Sequence, residues 1–363
     1  MSVLATIGVL ALLITVHELG HFLAARLQGI YANRFSIGFG PVVFKYQGKQ
    51  TEYAIRAFPL GGFVGFPDDD PDSGIAPDDP NLLRNRPIAD RAIVISAGVI
   101  ANLVFAYLVL VSQFGLVGVP NGFNYQPGVV IPQVVGDNSA AAVAGIQAGD
   151  IILRADDLVF GGVDGGVQAL VDKISQAPEE TIELEVQRGK QTLLLTVTPD
   201  RTSDGQGRIG VQLAPNGKLT YRRPQGLAEI FALASTQFQD MLFRIIQGFQ
   251  MLITNFQEMA SQVASPVKIV EWGANIAEAD SGNLFFFAAF VSINLAVVNI
   301  LPLPALDGGQ LVFLLIEGLR GRPLPTQVQE GVMQTGFLLL VGLGLFLIVR
   351  DTAQLPALQQ LFQ

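Results

Sequence analysis

Ile14-Thr15-Val16-His17-Glu18-Leu19-Gly20-His21-Phe22-Leu23 lies inside an otherwise apolar segment running from Val3 to Leu27, and it holds both histidines of the chain. On a helix, positions i and i+4 share a face. His17 and His21 can therefore offer two imidazole nitrogens to one zinc ion, with Glu18 beside them to act on a bound water. A polar cluster inside a lipid-spanning helix is expensive, about 2.5–3.5 kcal/mol for each charged group, so the string is expected to be a functional site.

Composition points the same way. Half of the 363 residues are hydrophobic and 15% are charged, against roughly 25% charged in a soluble domain; the mean hydropathy is +0.44. The absence of cysteine excludes disulfides, thiolate ligands and a cysteine nucleophile. With both histidines in the pair, a third protein ligand must be a carboxylate or a neutral oxygen. A net charge of −9 argues against nucleic-acid partners. No basic residue precedes Arg26 and the apolar run exceeds a usual signal-peptide core, so the first segment is expected to be retained.

Four stretches are long enough for a ~30 Å hydrocarbon core: Val3 to Leu27, Ala92 to Val119, Leu284 to Leu301 and Val332 to Val349. Arg34, Lys45, Lys49, Arg56, Arg84 and Arg86 in the first loop, with Arg320 and Arg322 before the fourth span, place both loops on the cytoplasmic side and the termini opposite.

From Arg34 to Val64 the pattern alternates as strands do, punctuated by Gly38, Gly40, Gly61 and Gly62. A membrane-associated β-hairpin with an unpaired edge is expected, able to hold a substrate strand. The stretch from Pro67 to Pro80 reads as a solvated loop, with Asp68-Asp69-Asp70 a weaker metal candidate. Residues 127–215 carry short β-branched runs around one helical stretch, Gln168 to Ile174, and are expected to form an inserted α/β domain. Its string Gly145-Ile146-Gln147-Ala148-Gly149-Asp150-Ile151-Ile152-Leu153 resembles the turn and strand of PDZ domains, which take a peptide as an added edge strand. Residues 216–283 hold amphipathic linker helices, with apolar positions from Phe231 to Phe256 at helical spacing. Residues 1–126 and 284–363 make the two parts of the membrane core.

Asp307 is the best third zinc ligand. It follows Asn299-Ile300-Leu301-Pro302-Leu303-Pro304, whose prolines must break the third span, and irregular backbone at that depth survives only where it lines a cavity or is buried in protein. Both motifs sit late in spans that run the same way, so they can meet at one depth. Glu317 is the competitor, further along beside the basic loop. Asn294 and Asn299 are candidate oxyanion donors, whereas Asn102 reads as structural.

On these residues the chain resembles the site-2 proteases, intramembrane zinc metalloproteases, in the bacterial and plastid group with a PDZ domain between spans two and three. The likeness rests on His17-Glu18-x-x-His21, Phe39-Gly40-Pro41, Pro59-Leu60-Gly61-Gly62-Phe63, Gly98-x-x-x-Asn102 and Asn299-x-x-Pro302-x-Pro304-x-Leu306-Asp307-Gly308-Gly309. It implies one zinc held by His17, His21 and Asp307, Glu18 as the catalytic group, and a hairpin that holds substrate. It also implies cleavage of single-span proteins already trimmed by an upstream site-1-type protease, such as anti-sigma factors. The family's usual Gly-Pro in span two is Gly98-Val99 here, and its Gly-Pro-x-Gly turn is Ser265-Pro266-Val267-Lys268.

The expected architecture is an α-helical polytopic membrane protein with about four transmembrane helices, a membrane-associated β-hairpin and an inserted PDZ-like α/β domain. The expected function is zinc-dependent cleavage within transmembrane segments of membrane proteins, remnant signal peptides included. A PDZ-bearing membrane scaffold with a non-catalytic metal site is the alternative. The expected location is a bacterial inner membrane or a thylakoid-type membrane, with the catalytic residues near the cytoplasmic side and the PDZ-like domain opposite.

Overall fold

A computed structural model of the chain describes residues 2–70, 73–136, 138–202, 204–256, 263–279 and 282–353. Parts of the expected linker region, 257–262 and 280–281, and of the second membrane-core part, 354–363, lie outside the described residues. The chain divides into two compact units, one made of residues up to Val117 with those from Pro224 onward, the other Gly118–Arg223.

The first unit is mainly helical. It contains α1 (Ser2–Leu27), α2 (Ile88–Ser112, continued by a π-helical turn Gln113–Val117), α5 (Leu227–Thr254), α6 (Pro266–Ala279), α7 (Asn283–Ile300), α8 (Asp307–Arg320) and α9 (Thr326–Ala353). Among the described residues four helices are long and apolar enough to cross a membrane: Ser2–Leu27, Ile88–Val117, Asn283–Ile300 and Thr326–Thr352. Thr6, Thr15, Ser96 and Ser112 each donate to the carbonyl four residues back, so these hydroxyls need no partner from outside their own helix. The amphipathic α5 is too polar to qualify as a span. It packs on α2, with Tyr107 and Ser235 hydroxyls 3.2 Å apart and the Tyr107 and Phe238 rings edge to face.

Between α1 and α2 lie β1 (Arg34–Gln47) and β2 (Glu52–Gly65). The expected hairpin is folded back on itself. Residues 34–37 pair in parallel with 52–55 on one side and antiparallel with 62–65 on the other, while 44–47 pair antiparallel with 52–55. The result is four short ribbons in the order 62–65, 34–37, 52–55, 44–47, with residues 62–65 along one edge that pairs with no further strand among the described residues. The bends lie near Gly38, Gly40 and Gly61, all at positive φ. The following acidic loop is tied down: the Asp68 carboxylate accepts from the Leu83 and Arg84 amides at 3.1 and 2.7 Å.

The second unit has a sheet in the order β10-β3-β4-β6-β7, with β5 paired to β4. Its strands are β3 (Val119–Val134), β4 (Ile151–Ala155), β5 (Leu158–Val159), β6 (Ile182–Arg188), β7 (Gln191–Val197) and β10 (Val211–Arg222). Helices α3 (Ala140–Val143) and α4 (Gly166–Ser175), with the β8 (Asp200–Arg201) and β9 (Gly207–Arg208) pair, complete it. Val129, Ile131, Ile152, Leu170, Ile182 and Leu184 form its core. The unit extends past 127–215 because β3 and β10 continue as a long antiparallel pair from Val119↔Arg222 inward. Pro120, Gly122, Pro127, Pro215 and Gly217 disguise those strands in the sequence. Asp150 is fully buried, and Arg188 grips it with Nε–Oδ1 and Nη2–Oδ2 at 2.8 Å while the Gln147 amide adds a third bond. Burial pushes the Asp150 carboxyl up, but these donors more than reverse it and hold it below its ordinary value.

Candidate active site

The site is assembled from α1, α2, β2 and the α7–α8 junction. His17 and His21, one turn apart on α1, meet edge to face with ring centroids 4.8 Å apart. Their Nε2 atoms are 3.2 Å apart. Asp307 Oδ2 lies 3.2 Å from Nε2 of His17 and 3.4 Å from Nε2 of His21. Among the described residues these three form the one group of metal-ligating side chains with such convergence.

Asp307 reaches this point because the third span breaks. Helix α7 ends at Ile300, Leu301 is extended, and the chain turns through Pro302 and Pro304, with Ala305 at φ +69°. Helix α8 then restarts at Asp307. A side chain at Gly308 would strike the Leu301 carbonyl oxygen at 2.1 Å, so the turn can fold over the new helix only if that residue has none.

The second helix orients the rings. His21 Nδ1 donates to the Val94 carbonyl at 2.8 Å, which leaves the lone pair on Nε2. His17 Nδ1 lies 3.3 Å from the side-chain amide of Asn102, which is fully buried. Heavy-atom positions fit either orientation of that amide. With Oδ1 toward the ring it accepts from Nδ1–H, and the Asn102 Oδ1 that otherwise lacks a partner is satisfied. Both Nε2 atoms then face Asp307 Oδ2 as lone pairs, and Oδ2 is itself buried without a hydrogen bond. Three electron-rich atoms at this spacing repel one another unless a cation lies between them. The tetrahedral edge for metal–ligand bonds of ~2.0–2.1 Å is about 3.3–3.4 Å, and the observed separations are 3.2, 3.2 and 3.4 Å. The donor set fits zinc.

Glu18 stands on the same turn of α1, beside the free edge of the folded strands. Its carboxylate reaches the Val64 backbone amide, and a Cβ at Gly62 would lie 3.1 Å from its Cγ. Asn299 points its amide at His17 Nε2 from 3.4 Å, whereas Asn294 donates to Phe290 of its own helix and is not drawn into the group. Glu317, the competing carboxylate, is engaged by Arg91. Gly38, Gly40 and Gly61 lie at the strand bends, and of the hairpin glycines Gly62 is the one against Glu18. Sequence reasoning missed Val94, a backbone acceptor with no side-chain signature, and Asn102. The spacing Gly98-x-x-x-Asn102 places both residues on one face of α2 and could have revealed the second.

The model of Peptidase family M50 matches residues 5–343. A protein of Nostoc sp. named as a zinc metalloprotease is 62% identical, covering all of both chains. The chloroplastic membrane metalloprotease ARASP of Arabidopsis thaliana is 47% identical over 99% of this chain and 80% of its own. The regulator of sigma-W protease RasP of Bacillus subtilis is 29% identical over 98% and 99%. Among solved structures, the PDZ domain of the SdrC-like protein of Listeria monocytogenes covers 24% of this chain and 87% of its own, at 24% identity and a TM-score of 0.21, too slight a likeness to carry an argument. With the motifs of the site-2 proteases, a donor set matched to zinc and a family match over nearly its whole length, this chain belongs to Peptidase family M50 as a multi-pass membrane zinc metalloprotease.

Proposed function

We propose that the protein is an intramembrane endopeptidase that hydrolyses peptide bonds within transmembrane segments of other membrane proteins. His17 Nε2, His21 Nε2 and the Asp307 carboxylate hold the zinc. Bound there, zinc supplies Lewis acidity toward the scissile carbonyl and the attacking water. Glu18 takes the proton from that water as it attacks, and returns it to the nitrogen of the departing amine. Asn299, aimed at the same point, donates to the oxygen on which negative charge develops.

The observation that carries this reading is the position of Glu18 next to the His17–His21–Asp307 cluster and against the 62–65 edge. A helical substrate hides its amides in its own hydrogen bonds, so it must unwind before attack. The free edge supplies backbone partners for an unwound stretch by strand addition, and holds that stretch beside Glu18. The 118–223 unit, whose Gly145–Leu153 string resembles PDZ domains, takes a peptide segment of the substrate or of a regulator. Single-span proteins already shortened by an upstream protease, including anti-sigma factors and remnant signal peptides, are the substrate class. The catalytic residues lie toward the cytoplasmic face of a bacterial inner membrane or of a thylakoid-type membrane, and the 118–223 unit on the opposite side.

The test is cleavage of a tagged single-span reporter by the purified protein in detergent, with zinc content measured in parallel. Glu18→Gln is expected to keep its zinc and lose cleavage. A Glu18→Gln protein that still cuts rejects the assignment.

A further inference from the structure

Helix α8 carries Asp307 on its first turn, but the broken segment Leu301–Leu306 separates it from α7, so α7 does not fix its direction rigidly. A carboxylate that must stay within a few tenths of an ångström of two imidazoles needs its helix held at a second point. Glu317 supplies that point. It lies ten positions after Asp307, roughly 15 Å along the helix at 1.5 Å per residue. Its carboxylate meets Arg91 of α2 in a two-pronged pair: Nη1 donates to Oε2 at 3.0 Å and Nη2 donates to Oε1. Both side chains are 15% exposed. At the next residue of α8, Gly318, an added Cβ would lie 3.7 Å from Ile88 Cδ1 at the start of α2, so the two helices run close there.

Arg91 is one turn before Val94, whose carbonyl fixes the His21 ring. Helix α2 therefore acts on both sides of the metal cluster, through Val94 and Asn102 on the histidines and through Arg91 on the helix that bears the third ligand. The forked geometry matters. A guanidinium bound through two nitrogens fixes the angle of its partner as well as its distance, which a point charge does not.

We infer that Arg91 and Glu317 are a positioning pair that sets the reach of Asp307 to the zinc, so that metal affinity depends on an ion pair lying three helical turns from the ligand it serves. This rests on the zinc assignment above. Neither residue touches zinc or substrate. Their loss should first be felt in how tightly the metal is held and in the symmetry of its coordination.

The experiment uses the full chain in detergent. Zinc affinity is measured by chelator competition, the visible absorption of the cobalt-substituted protein reports ligand geometry, and thermal unfolding of the metal-free protein is followed alongside. Glu317→Gln is expected to weaken zinc binding by about 10-fold or more, in the range seen for residues that orient metal ligands, and to alter the cobalt spectrum. Arg91→Lys, which keeps the charge and loses the fork, should fold and show a smaller shift of the same kind. The exchanged pair Arg91→Glu with Glu317→Arg should recover a substantial part of the affinity. Unchanged zinc affinity and cobalt spectrum in Arg91→Lys and Glu317→Gln, with only the unfolding temperature lowered, would overturn the inference and leave the pair a structural brace. Asp307→Asn is the control. If it retains zinc at full affinity, the ligand assignment itself fails, whereas loss there with no effect at Glu317 rejects the positioning role alone.

Discussion

Gly98 faces His21 so closely that a methyl group on it would lie 2.3 Å from Nε2 and 2.8 Å from Cε1 of His17. No rotation of either ring relieves this, because His21 is tied to Val94 and His17 to Asn102. The approach of α2 to the two histidines is as tight as atoms permit. Gly98→Ala must push α2 back or turn the rings, and zinc affinity is expected to fall by about 10- to 100-fold. Competition with a chelator measures it, and wild-type affinity in this variant would contradict the packing described.

Asn102 is expected to matter through His17 rather than through the fold at large. Asn102→Ala removes the acceptor for Nδ1–H and leaves a buried ring nitrogen unpaired, at a cost of about 1–3 kcal/mol. Zinc should bind roughly 10-fold more weakly, and the Nδ1 proton of His17 should exchange faster with water in an NMR spectrum of the zinc-loaded protein. An unaltered proton signal would show that His17 is oriented by something else.

Gly62→Val separates substrate holding from metal binding. The added side chain would meet the Ser36 carbonyl at 2.8 Å and Glu18 Cγ at 3.1 Å, displacing the strand edge from the carboxylate. A misplacement near 1 Å costs about 100-fold in rate. Cleavage of the reporter should fall steeply while zinc content stays at one per chain; equal losses of both would mean that the substitution had merely disrupted the unit.

The acid stability of the 118–223 unit should report Asp150. Its carboxyl is held below the ordinary value, so the stabilisation is present above that ordinary value and is lost as pH falls through the lower, folded one. Arg188→Ala removes two bonds to a fully buried carboxylate, and is expected to cost about 1.5–3 kcal/mol at neutral pH. Hydrogen exchange of β4 and β6 in the intact protein, followed from neutral to acid, should show early opening of the variant and a weaker pH dependence. Identical profiles would assign the stability of this unit elsewhere.

Much of this was legible because it is local. The i, i+4 spacing of His17 and His21, the prolines between Asn299 and Asp307, and four apolar stretches each read directly from neighbouring residues. What escaped were relationships between residues far apart in the chain. The strands of 34–65 read as one hairpin because alternation specifies which faces are apolar, not which edges pair, and pairing 34–37 on both sides depends on the bends. Asn102 looked like a helix-packing residue, since an asparagine in a span has the same local signature whether its partner is a backbone carbonyl or an imidazole. Glu317 competes for the metal on chemistry alone, and only its pairing with Arg91 of α2 removes it.

The sequence alone named the candidate donors, the zinc chemistry they suit, the membrane character and the breakpoint before Asp307, because each follows from residue type and short-range periodicity. Only the tertiary structure decided how the donors meet: the 3.2–3.4 Å triangle, the ring orientations set by Val94 and Asn102, and the strand edge beside Glu18. The reason is physical. A side chain's chemistry belongs to the residue, but tenths of an ångström between residues as distant as His21 and Asp307 are set by how closely whole helices can pack.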